Sequence, residues 1–96
     1  MAITVTGVRQ VREYVLALEF SDGSAGQVDF RGWVTGRGGL FAPFDDPEFF
    51  KQVRLDPEAG TLVWPDGVDL CPDVLHHRAT GAPLPGGLRD DGAHAA

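Results

Sequence analysis

The sequence predicts an α+β domain: a small antiparallel sheet of four to five strands in two hairpins, with two short helices. Three observations carry this. Tyr14, Leu16, Leu18 and Phe20 recur at period two, the spacing of a half-buried strand. Asp22-Gly23 and Pro65-Asp66-Gly67 each punctuate extended segments with residues that suit tight turns. Asp46-Pro47-Glu48 and Cys71-Pro72-Asp73 carry the proline and acidic signals of helix starts.

Each element follows in order. Ile3–Val8 is alternating and β-branched, a first strand that the pattern extends towards Val11. Tyr14–Phe20 is the second, with Glu19 on the opposite face. After the Asp22-Gly23 turn, Ala25–Phe30 returns with Val28 and Phe30 facing inward, completing a meander. Arg31–Val34 reads as a short helix or turn, Gly36–Gly39 as a flexible loop, and Leu40–Phe44 as an irregular apolar segment. Asp46 caps a short helix with Pro47 at its first position and Phe49, Phe50 and Val53 on its buried side. Val53–Leu55 and Thr61–Trp64 flank the Asp56–Gly60 turn as a second hairpin, with Leu62 and Trp64 on one face. Val68–Leu70 is a short extended piece, and a last helix runs from Pro72 to about Ala79. From Gly81 the Gly, Pro and Ala content predicts a disordered tail. The expected organisation is one domain over residues 1–80 and a flexible tail over 81–96.

Composition bounds the function. At 96 residues there is room for one domain, with a stability of about 5 kcal/mol at most. A net charge of −6 with Lys51 as the only lysine argues against a nucleic-acid partner, which would need clustered cations. The acidity suits solubility, or complementarity to a basic partner. The single cysteine, Cys71, cannot form an internal disulfide. With no signal-peptide core visible, a cytoplasmic location is expected. No apolar run reaches the roughly 18 residues of a membrane span.

The ordered combination of Phe20-Ser21-Asp22-Gly23, Val28-Asp29-Phe30, Phe41–Phe50 and Val53–Leu70, with Trp64-Pro65-Asp66-Gly67 and then Pro72-Asp73-Val74-Leu75, resembles the bacterial family known as domain of unknown function 2442. The resemblance covers roughly Ile3 to His77. It implies a small α+β domain and carries no catalytic residues with it. Members occur beside a second small protein in a toxin–antitoxin-like arrangement, or fused to a helix-turn-helix domain. This chain departs from the pattern at the glycine-rich Gly36–Gly39 and at His76-His77. No helix-turn-helix segment follows Ala79.

The chemistry-bearing residues each have a structural account. Cys71 before Pro72 sits where a helix N-terminus favours thiolate, but no second cysteine or sequence-adjacent base supports it as a nucleophile. Asp73 and His77 share a helix face at ligand spacing, with Asp69, Cys71 or His94 as possible third ligands, and helix-end solvation also explains the histidines. Asp45, Asp46, Asp56, Glu58, Asp66, Asp69 and Asp73 fall where caps and turns need acceptors. Gly36–Gly39 with Arg37 offers an anion cradle without the Lys-Ser/Thr of a P-loop. Trp33, Phe41, Phe44, Phe50 and Trp64 form a candidate interaction surface, though small domains often use such residues as core. The expectation is a non-enzymatic protein-interaction module that binds itself or a small partner by strand addition and aromatic contact, without catalytic residues, metal or cofactor. Its alternatives are an antitoxin-like role and a small metal- or thiol-dependent enzyme around Cys71, Asp73 and His77.

Overall fold

Alternation along the first three strands folds them into a meander. The structure, a computed structural model, describes residues 3–82 and 93–95. β1 (Val5–Arg12), β2 (Val15–Phe20) and β3 (Ala25–Asp29) form a three-stranded antiparallel sheet in that order. Leu16, Leu18, Phe20 and Val28 point into the core, while Glu19, Ala25 and Gln27 face outward. β1 carries two register shifts, between Val5 and Gly7 and between Gln10 and Arg12. Such irregularities bend a strand and increase its twist. Tyr14 turns the chain between β1 and β2 with φ 63°, a conformation that costs a side-chain-bearing residue about 1 kcal/mol. Burial of its ring and a hydrogen bond from its hydroxyl to the Phe44 carbonyl oxygen offset that cost. At the next turn Gly23 has φ 85°, and the Asp22 carboxylate accepts from the Ser24 amide.

The remaining strands form a second antiparallel sheet: β4 (Arg54–Asp56), β5 (Thr61–Val63), β6 (Val68–Leu70) and β7 (Ala93–Ala95). The α+β antiparallel architecture is the one the sequence predicts, but its strands divide between two sheets. Everything from Arg31 to Val53 intervenes between the hairpins as helices and loops that fold over the core. The sheets meet where the Val5 amide donates to the Gly60 carbonyl at 2.8 Å. Of the tail expected over 81–96, residues 83–92 and 96 lie outside the described residues; Ala93–Ala95 run antiparallel to β6, from Val68↔Ala95 to Leu70↔Ala93.

Among the described residues, three short helices and a 3-10 segment close the core. α1 (Arg31–Val34) buries Trp33 and Val34. The segment expected to be irregular is a 3-10 helix over Gly39–Asp45 that buries Phe44. α2 (Pro47–Phe50) begins as its sequence dictates: Asp46 accepts from the Glu48 amide at 2.9 Å and Pro47 opens the helix. Adjacent residues on a helix cannot both face inward, so Phe50 is fully buried and Phe49 only half-buried. α3 (Pro72–Thr80) buries Val74 and Leu75 and ends on Gly81 at φ 79°. It packs on the inner face of the first sheet, where the absence of a side chain at Gly26 admits the Ala79 carbonyl.

Candidate functional site

α3 carries most residues that could do chemistry, and the fold sends them to different neighbours. Cys71 is half-buried at the helix N-cap, makes no side-chain cap bond and packs against the hydrophobic core. His77 Nδ1 lies 2.6 Å from the Ala82 carbonyl, so it donates to the chain leaving the helix. Among the described residues no three His, Cys, Asp or Glu side chains gather as metal ligands. Cys71, Asp73 and His77 are therefore not brought together into such a set.

His76 turns the other way and meets the β2–β3 turn. Its Nε2 lies 3.0 Å from Asp22 Oδ2 and 3.1 Å from Ser24 Oγ, and its ring stands edge-on to Phe20. Sequence reasoning did not join His76 to Ser24 and Asp22, which lie 52 and 54 positions before it in the chain. The hydrogen bonds from the Ser24 hydroxyl and amide, and then His76, hold the Asp22 carboxyl below its ordinary pKa. The composition is that of a hydrolase triad; the wiring is not. A catalytic relay uses one imidazole nitrogen for the serine and the other for the acid. Here one nitrogen serves both, and the Ser24 hydroxyl donates to Asp22 rather than to the base. The trio is a clasp between helix and turn.

Four of the other acidic candidates, Asp45, Asp46, Asp56 and Asp66, are likewise occupied. Asp46, Asp56 and Asp66 accept backbone amides within their own turns. Asp45 accepts from the Gly36 amide at 2.8 Å. That bond places a carboxylate against the glycine loop, which disfavours an anion there. Arg37 lies over the Phe41 ring at 4.2 Å instead of reaching into a cradle.

The five aromatic residues expected as an interaction surface require correction. Trp33, Phe44, Phe50 and Trp64 are buried, and only Phe41 is half-exposed. They form one cluster with Phe30 and Tyr14: Phe44 stands edge-on to Trp64 at 4.9 Å, and Phe30 stacks on Trp33 at 5.3 Å. The Trp64 indole N–H donates to the Phe50 carbonyl at 3.0 Å. With few aliphatic residues between Phe30 and Phe50, these rings supply the volume that fills the interior. Among the described residues, the large apolar side chain left exposed is Leu40, at 62%.

The outer face of the first sheet carries a concave feature that lies outside the candidate residues. There the strands enclose an open trough of about 700 Å³. Cross-strand register sets its floor as two rows: Gly7, Glu19 and Ala25 in one, Arg9, Ala17 and Gln27 in the other. Half of these positions carry little or no side chain. Gly7 leaves room for Glu19, whose carboxylate would lie 3.4 Å from any Cβ added there. The signal was present in the sequence as small residues at the outward positions of β1, β2 and β3.

The fold and this distribution of residues describe a small α+β domain with a filled aromatic core and one open sheet face. A family model described as protein of unknown function (DUF2442) matches residues 5–81, and the chain belongs to that family. No curated protein and no solved structure matches it. Among the described residues no helix is long and apolar enough to cross a membrane.

Proposed function

We propose that the chain is a protein-interaction module with no catalytic activity of its own. The observation that carries this reading is the trough on the outer face of the first sheet. A sheet face left to water ordinarily carries long polar side chains, whereas Gly7, Ala17 and Ala25 leave this one hollow. The reading is supported by the fate of several polar side chains: Asp46 caps α2, Asp56 accepts within its own turn and His76 forms the clasp with Asp22. It replaces the aromatic patch with the sheet face as the binding surface, because the aromatic rings are consumed by the core. The net charge of −6 favours a basic partner, and an antitoxin-like role is the more specific form of the same reading.

The test is affinity purification of partners with three baits: the unaltered chain, Ala17→Arg and Ala25→Arg. Both substitutions project a long side chain into the trough from outward positions, and circular dichroism checks that each variant folds. A stoichiometric partner retained by the first bait and lost by both variants is the expected result. Identical capture by all three, or a strict monomer that retains nothing at micromolar concentration, overturns it.

A further inference from the structure

We propose that the outer edge of β6 is a strand-accepting site, which β7 covers in this chain and an extended segment of a partner protein takes in its place. This goes beyond the trough and stands on the second sheet alone. The Val68 carbonyl accepts from the Trp64 amide at 3.2 Å, and the Leu70 carbonyl accepts from the Thr61 hydroxyl. Both bonds run to the β5 side. Backbone groups point to alternate sides along a strand, so the Asp69 N–H and C=O point away from β5, to the outer edge. There the register sets Asp69 opposite His94 of β7. An edge that presents such a pair takes extended backbone, since a strand returns one donor and one acceptor at the matching spacing.

The covering is slight and the edge beneath it is firm. β7 pairs over three residues, Ala93–Ala95, and alanine is a poor strand former. Val68 and Leu70, by contrast, are buried, the Thr61 hydroxyl holds β6 on its inner side, and α3 begins at Pro72. β6 therefore keeps its shape when β7 leaves, and a partner strand has no sheet edge to order. Left bare, the edge would be a template for any strand, which is the hazard that a covering segment removes. The occupant that displaces β7 keeps its direction and register and improves on its propensity. It is an antiparallel segment with β-branched residues opposite Val68 and Leu70.

The probe is a synthetic peptide of residues 90–96 carrying Ala93→Val and Ala95→Val, titrated into the full isotopically labelled chain and followed by amide NMR. The control is the same peptide with His94→Pro, which has no N–H to set opposite Asp69. The same substitution in the full chain, His94→Pro, releases β7. The expected results are faster amide exchange at Asp69 in that variant, and valine-peptide shifts centred on Val68–Leu70 in both chains. Binding to the variant is about tenfold tighter, because its own strand no longer competes. Ala17→Arg, in the trough, leaves this binding unchanged, so the two surfaces fail separately. Unchanged exchange at Asp69, equal affinity for both chains, no binding, or an equal response to the control peptide overturns the inference.

Discussion

Replacing Gly26 with alanine tests how α3 is seated on the first sheet. A Cβ at this position would stand 2.1 Å from the Ala79 carbonyl oxygen, 2.8 Å from its carbon and 3.2 Å from the Ala79 Cβ. The nearest obstacle is backbone, so no rotamer change relieves it. The last turn of α3 would have to retreat by roughly 1.3 Å to restore ordinary contact distance, against the packing of Val74 and Leu75 below it. Overpacking of this kind costs about 1–3 kcal/mol. The lower entropy of the unfolded alanine chain returns only about 0.4–1 kcal/mol. In a domain whose size predicts a stability of about 5 kcal/mol at most, the net loss is large. Urea unfolding followed by tryptophan fluorescence reads it as a lower midpoint with an unchanged slope. Adding Ala79→Gly should rescue little, because it leaves the carbonyl in place. A Gly26→Ala chain as stable as the original, or full rescue by Ala79→Gly, would refute the account.

Tyr14→Phe should cost about 1–2 kcal/mol by leaving the buried Phe44 carbonyl without its donor, read by the same unfolding assay. Gly60→Ala should destabilise through its φ of 69° and through Thr4, whose Cγ2 lies 2.6 Å from the added atom. Thr4→Ala should recover only part of the loss, since the Thr4 Cβ is itself at 2.9 Å. The Asp22 pKa is lowered in the folded chain, so its contribution is present above the ordinary carboxylate value of about 3.9 and fades as pH falls through the folded value. Asp22→Asn should therefore flatten the acid limb of a stability–pH curve and leave its alkaline side unchanged.

Strands, turns and caps were legible because their causes are local. The period-two pattern at Tyr14–Phe20, the Asp22-Gly23 turn, the Asp46-Pro47 helix start and the Pro72 start each depend on residues within one turn of chain. The aromatic residues were harder, because whether Trp64 or Phe44 faces water depends on what the rest of the chain puts above it. Seven buried rings from separate segments of the chain converge on one interior, and sequence spacing does not encode that convergence. The same limit hid the clasp. Nothing local links His76 to Asp22, and helical spacing paired Asp73 with His77 instead. The trough was half-legible: the small residues are visible in the sequence, but their alignment in rows requires the register of β1 on β2.

The clasp and the trough are parts of one arrangement. Gly23 and Ser24 border the trough, and His76 of α3 holds Ser24 and Asp22 from the other side of the same turn. A hairpin turn left to itself is the most mobile part of a small sheet. Tied to a helix whose Val74 and Leu75 are fully buried, this turn moves only if α3 moves. The rim is therefore set before any partner arrives, and association need not order it. His76→Ala should separate the two roles. It leaves the floor of the trough untouched, so a partner that needs only the floor binds as before. A partner that needs the rim fixed loses affinity, and does so without loss of its contacts to Ala17 and Glu19. Amide exchange at Gly23 and Ser24, faster in His76→Ala while exchange within β2 is unchanged, reports that loosening directly; unchanged exchange at the turn would mean that the hairpin holds itself.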